Sequence, residues 1–222
     1  MSDVQRAGGA GPAADGGLLS ERAHAALRDR LVSLEIPPGA PIDEEALTGQ
    51  LGVGRTPVRE AIRRLALERL VVVYPRRGTF AATINITSLT DITDVRVQLE
   101  ARAAERAATL ADADDRREAG DLIAKLDAAE SGQRRLIELD AEVHRFIYRC
   151  SRNPYLEQDL DRYLNMSLRI WHLTWDRLPP LEQRMREHGE LLEAIRQGDA
   201  ERAREIAAAH VVAFAEEMRA AL

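Results

Sequence analysis

The chain is poor in cysteine, in aromatic residues and in long apolar runs. Cys150 is the only cysteine among 222 residues, which excludes an internal disulfide and a thiolate cluster for zinc and agrees with a reducing compartment. Phe, Trp and Tyr make up 4% of the chain, and abundant Ala, Leu, Glu and Arg favour helix over sheet. No apolar run approaches the ~18 to 20 residues that span a bilayer, and the basic-then-apolar order of a signal peptide is missing. The expectation is a soluble, cytoplasmic protein without membrane contact. Neither an internal repeat nor a Gly-rich phosphate loop is present. What remains, 45% hydrophobic and 31% charged residues, suffices for one large domain or two small ones and excludes disorder throughout.

The net charge of -6 conceals an asymmetry. Residues 1–83 hold 11 Arg against 10 acids, whereas residues 84–222 hold 20 basic residues against 27 acids. Within 52–80, Arg55, Arg59, Arg63, Arg64, Arg69, Arg76 and Arg77 face only Glu60 and Glu68. A basic patch on an acidic body suits phosphate; its bland alternative is a solvated helix face.

Residues 1–17, rich in Gly and Ala, read as a disordered tail. From Ser20, an N-cap candidate, Ala23, Leu27, Leu31 and Leu34 keep helical spacing as far as Pro37-Pro38-Gly39. Asp43 caps a short helix, Glu44 to Leu51, that stops at Gly52. Thr56 and Pro57 are an N-cap and N1 pair for a third helix to about Arg69. Leu70 to Tyr74 and Thr79 to Thr83 then form a hairpin around Pro75 to Gly78. Three helices, two of them joined at a tight Gly turn, followed by a hairpin, make a winged helix-turn-helix over residues 18–83. In such a domain Arg55, Arg59 and Arg63 on the third helix meet base edges in the major groove, where the planar arginine fork suits guanine. Thr56 meets a phosphate or a thymine methyl. Arg76 and Arg77 reach phosphates or the minor groove, and Gly78 permits close backbone approach.

The run from Val53 to Ile62 (VGRTPVREAI), with Pro38-Gly39 before it and Arg77-Gly78-Thr79-Phe80 after it, closely resembles the winged-helix domain of the GntR-family transcriptional regulators. Gly54 stands where that family usually has Ser, and Arg69 where it usually has Gly. The resemblance implies a palindromic operator and a homodimer, one winged helix per half-site.

From residue 84 to 222 the pattern is an all-α antiparallel bundle of about six helices, so the fold class is mainly α. Four polar residues fall on apolar stripes. Asp140 and His144 share the stripe of Leu136, Leu139, Val143, Phe146, Ile147 and Cys150. His188 lies among Leu181, Met185, Leu192 and Ile195, and His210 among Ala203, Ile206, Ala207 and Phe214. Buried polar groups need partners, and three imidazoles with one carboxylate satisfy a divalent metal better than each other. His188 precedes Gly198 by 10 residues and His210 follows Asp199 by 11. At about 1.5 Å per residue, an antiparallel hairpin brings both imidazoles to one level. His24 and His172 read as structural or exposed.

This constellation resembles the FCD ligand-binding domain of the FadR branch of the GntR family, and six helices rather than seven resemble its VanR-type subgroup. The resemblance implies a metal held by Asp140, His144, His188 and His210, with a small carboxylate effector completing the shell. It also implies that Arg96 meets the effector; the alternative is a surface ion pair with Glu100, four residues on. Asn165 shares a polar stripe with Arg169, His172 and Asp176 and is a lesser effector candidate. Zinc leads, with nickel, iron or manganese as alternatives. The resulting expectation is a DNA-binding repressor controlled by an organic acid and not an enzyme. A metal sensor and, less favoured, a helical metalloenzyme are the alternatives.

Overall fold

The structure, a computed structural model, describes residues 12–85, 87–129, 133–177 and 182–221. The chain divides into two compact units, Met1–Thr83 and Ile84–Leu222.

In the first unit the order is α1 (Pro12–Val32), β1 (Pro41–Ile42), α2 (Glu44–Leu51), α3 (Arg55–Leu67), β2 (Val71–Tyr74) and β3 (Gly78–Ala81). Ala23, Leu27 and Leu31 on α1 pack with Val58, Ala61, Ile62 and Leu65 on α3, all buried. The Asp43 carboxylate caps α2 by accepting from the Glu45 and Ala46 amides at 2.8 and 3.0 Å, and Gly52 ends it in the left-handed region.

Several expectations shift here. Ser20 is buried inside α1 rather than capping it. The expected tail overlaps this helix over 12–17, while residues 1–11 lie outside the described residues. The helix also stops at Val32, earlier than expected, and Leu34 turns the chain at φ 59°. Thr56 is not the N-cap of α3; Gly54 is, without a side-chain bond, so Pro57 sits third in the helix, where its missing N–H costs nothing. The hairpin gains an unforeseen third strand, because β1 pairs antiparallel with β3 (Pro41 opposite Phe80, Ile42 opposite Thr79). Two residues at a proline show no period, so no sequence pattern announces this strand.

The second unit contains α4 (Ser88–Leu110), α5 (Ala113–Asp127), α6 (Gln133–Cys150), α7 (Pro154–Thr174) with a 3-10 turn Trp175–Arg177, α8 (Glu182–Gln197) and α9 (Ala200–Ala220). Ala103, Ala104 and Ala107 on α4 and Ala203, Ala207 and Ala215 on α9 are buried, and these two helices pack most extensively. Small side chains let the backbones approach. Asp112, Asn153 and Asp199 cap α5, α7 and α9. Each of these helix starts is set locally, and the inward faces of α4, α6, α8 and α9 are left to enclose the polar groups between them.

Candidate metal centre and nucleic-acid interface

Asp140 and His144 on α6, His188 on α8 and His210 on α9 are all buried, and each offers one ligand atom within 4.8 Å of the others. His188 Nε2 lies 3.5 Å from Asp140 Oδ1, and His144 Nε2 lies 3.9 Å from Asp140 Oδ2. The ring centroids of His188 and His210 are 4.4 Å apart. Neither ring nitrogen of His188 has a hydrogen-bond partner among the described residues, although the residue is fully buried. Such an orphaned imidazole costs free energy unless a further group uses its lone pair. Burial, with the neighbouring histidines and Arg184, pushes the His188 and His210 imidazoles well below their ordinary value and keeps them neutral, the form a metal requires. Burial also raises the Asp140 carboxyl, against the pull of His144, Arg184 and Arg96.

Partners outside the cluster orient the donors. His144 Nδ1 donates to Glu100 Oε2 at 3.0 Å, and His210 Nδ1 donates to Glu187 Oε2 at 3.1 Å, which leaves the Nε2 lone pair of each ring available. Glu100 Oε1 in turn accepts from the Tyr148 hydroxyl at 2.7 Å and from Arg96 Nη2 at 2.5 Å. Burial works against a charged Glu100, but His144, Arg96 and the Tyr148 bond outweigh it and hold this carboxyl well below the usual range. Three imidazoles and one carboxylate, with the ring orientation fixed by carboxylates at two of the rings, form a donor set that fits a divalent ion.

Arg96 makes the ion pair with Glu100 but not at the surface. It is buried, with Nε also on Glu100 Oε1 at 3.0 Å and Nη1 donating to Ser167 Oγ at 2.9 Å. Asn165 is buried as well, accepting from Arg145 Nη2 at 2.8 Å. The polar stripe of α7 is thus divided, with Asn165 and Arg169 inside, His172 half-buried and Asp176 exposed. His24 is buried on α1, where its Nε2 meets Glu68 Oε1 at 2.7 Å.

The apolar pattern does not point to Glu187, to Tyr148 or, above all, to Arg184. It places Met185 inside, yet Met185 is half-buried and Arg184 takes the inward position one turn before His188. The available signal is the spacing of four from His188, masked by the general tendency of arginine to lie outside.

In the first unit Arg55, Thr56, Arg59 and Arg63 are exposed on α3, and Arg76, Arg77 and Gly78 are exposed at the β2–β3 turn. Gly78 adopts φ 104°, which a side chain would strain. Arg59 Nε donates to Glu44 Oε2 at 3.0 Å, and Arg55 Nη2 lies 3.5 Å from Glu45 Oε1. The start of α2 therefore presents carboxylates to the basic helix, an arrangement that the sequence pattern does not announce.

A helix-turn-helix with a small wing, followed in the chain by an all-helical unit, defines a transcriptional regulator of the winged-helix class. Residues 19–81 match the family described as bacterial regulatory proteins, gntR family, and residues 91–213 match the FCD domain. The chain belongs to the GntR family of transcriptional regulators and carries an FCD domain, so its relatives are regulators rather than enzymes. It is 24% identical over 204 residues to the HTH-type transcriptional repressor RspR of Escherichia coli, covering 90% of this chain and 89% of that one. It is 31% identical over 145 residues to the Nta operon transcriptional regulator of Aminobacter aminovorans, covering 65% of this chain and 68% of the relative. Among solved structures, E. coli McbR/YncC shares the fold with a TM-score of 0.78 at 24% identity, over 91% of this chain and 97% of that one. A GntR regulator from Rhodococcus sp. RHA1 does so with a TM-score of 0.71 at 22% identity, over 91% and 98%.

Proposed function

We propose that the protein is a ligand-responsive repressor of the VanR-type subgroup. Its winged-helix unit binds a palindromic operator as a homodimer. Its helical unit holds a divalent metal, zinc in the first place, through Asp140, His144, His188 and His210. The observation that carries the metal reading is His188, fully buried among three further donors with neither ring nitrogen hydrogen-bonded to a described residue. The ion supplies positive charge and open coordination positions for a small carboxylate effector, since four protein ligands fill neither a five- nor a six-coordinate shell.

Arg55, Thr56, Arg59 and Arg63 address base edges and nearby phosphates, while Arg76, Arg77 and Gly78 serve the wing's contact with the backbone. Exposure of all seven supports this assignment. Arg96 holds Glu100, and through it the His144 ring, beside the effector; Asn165, buried on α7 and bonded by Arg145, is the lesser effector candidate. The sense of control is repression, as in the name of the relative RspR.

The test joins metal analysis of the purified protein to operator binding with and without a chelator. Stoichiometric metal, and an operator affinity that responds to organic acids only when metal is present, are the expected results. A protein that takes up no divalent metal overturns the metal reading. Operator binding that persists through chelation leaves the DNA assignment standing, because the winged helix has its own core.

A further inference from the structure

Two buried donors in the layer next to the proposed metal ligands have no acceptor among the described residues. Arg184 precedes His188 by four residues on α8, and Phe214 follows His210 by four on α9. In an antiparallel hairpin both steps run in the same direction, so Arg184 and Phe214 share a layer about 6 Å along the helix axes from the donor cluster. The Arg184 guanidinium carbon lies 4.8 Å from the Phe214 ring centroid and 5.3 Å from that of Trp171 on α7, and the two rings are 5.8 Å apart.

Within this layer Arg184 Nε and Trp171 Nε1 are buried with no partner among the described residues, in side chains of residues only 4% and 1% exposed. Arg184 Nη2 bonds Glu217, so the side chain is anchored at one edge while its Nε–H edge is left without an acceptor. Arg96 approaches Phe214 from another helix, its guanidinium carbon 6.0 Å from the ring centroid, but its Nε, Nη1 and Nη2 are already engaged by Glu100 and Ser167. Arginine and indole N–H groups only donate, so the missing partner is an acceptor, and beside a guanidinium it is an anionic one.

We infer that Arg184, Trp171 and Phe214 form a second anchoring subsite, one helical turn from the metal donors, for the distal carboxylate of a short dicarboxylic acid. This rests on the metal reading above and adds the class of effector to it. The near carboxylate meets the ion. The methylenes bridge the two layers, and the far carboxylate accepts from Arg184 Nε and Trp171 Nε1. A span of about 6 Å suits diacids of four to six carbons.

The test uses the full-length protein loaded with zinc, titrated by calorimetry and tryptophan fluorescence. The probes are succinate, glutarate and adipate, set against the monoacids of equal carbon number, butyrate, pentanoate and hexanoate. At least one diacid is expected to bind ten-fold or more tightly than its monoacid and to change the fluorescence. Arg184→Gln and Arg184→Lys should each lower that diacid's affinity ten-fold or more, leaving zinc content and monoacid affinity within two-fold. Arg184→Lys keeps a cation opposite Glu217, and Trp171→Phe, which keeps the ring packing, should lower the preference about three-fold. Should either arginine variant fail to fold, the other and Trp171→Phe decide.

Equal binding at every chain length, no binding of any probe, or a preference unchanged in the folded variants overturns the subsite. Zinc-dependent binding of diacids and monoacids alike removes the subsite but leaves the metal centre. A chain that takes up no zinc removes both.

Discussion

Glu100 Oε2 on α4 lies 3.0 Å from His144 Nδ1 on α6, so a single carboxylate orients an imidazole across two helices. The same group collects the Tyr148 hydroxyl and the Arg96 guanidinium. This makes it the hub between the proposed ligand side of the site and its metal side.

Glu100→Gln should lower zinc affinity by about ten- to hundred-fold while the bundle stays folded, because the amide no longer fixes the imidazole tautomer as a carboxylate does. Competition with a chromophoric chelator reads the change. Arg96→Ala should shift affinity the same way by releasing Glu100. Unaltered zinc affinity in both would assign Arg96 to the effector alone.

His188→Ala should abolish the thermal stabilisation that zinc confers, since an ion bound only by the native state adds to folding free energy. The metal-free form should lose little, because its His188 makes no hydrogen bond to the described residues. His172→Ala, a half-buried position on α7 outside the donor cluster, should retain the full zinc-dependent rise. Differential scanning fluorimetry with and without metal separates the two variants.

Arg55→Ala and Arg59→Ala should relax base preference in a binding-site selection as well as weaken operator binding, by about 1 to 3 kcal/mol for each bidentate pairing with a base. Arg76→Ala should weaken binding evenly across sequences and flatten the salt dependence. Unchanged selection profiles for both α3 variants would place another surface in the groove.

Arg69 adopts φ 62°, the left-handed conformation that glycine accepts and a side chain resists. Arg69→Gly should therefore stabilise the winged-helix unit by up to about 1 kcal/mol, the relief being offset in part by the greater freedom of glycine in the unfolded chain. Denaturant unfolding measures it. A loss of stability would show that the arginine side chain contributes more than its backbone conformation costs.

Cys150 is fully buried, and burial together with the Asp115 carboxylate pushes its thiol up to about 12 from an ordinary 9.0. The folded state then holds the proton more tightly than the unfolded state. This contribution to stability is complete below pH 9 and is lost as pH rises from 9 towards 12. Thiol reagents at pH 8 should leave the native protein unmodified and react at once after denaturation. A Cys150→Ala variant should lose less stability than the parent over that alkaline window. Rapid labelling of native protein would contradict the burial.

The four proposed metal donors are legible in the sequence because each breaks an apolar stripe of period 3.6, and because the lengths of chain on either side of Gly198-Asp199 set His188 and His210 level. The wing and the recognition helix are legible through Pro and Gly, whose backbone limits act locally. The third strand is not, since it depends on a distant segment for its partner, and the early end of α1 at Leu34 and the cap of α3 at Gly54 are shifts of a few residues that the apolar pattern does not resolve. Arg184 shows the limit most directly. Its inward position differs from that of Met185 by one residue, about 100° around the helix, and composition favours the methionine.

The sequence by itself therefore determined the features that short-range geometry controls: the helix periods, the turn glycines, the cap at Asp43, and the register of an α-helical hairpin. Only the tertiary structure decided which buried charges meet. Arg96 and Glu100 form a buried pair rather than a surface one because α6 and α7 close over them with Tyr148, His144 and Ser167. Arg184 lies inside because the Trp171 and Phe214 faces and Glu217 are there to receive it. The physical reason is that burying a charge is a property of all the groups around it, contributed by helices far apart in the chain, and no local pattern encodes that sum.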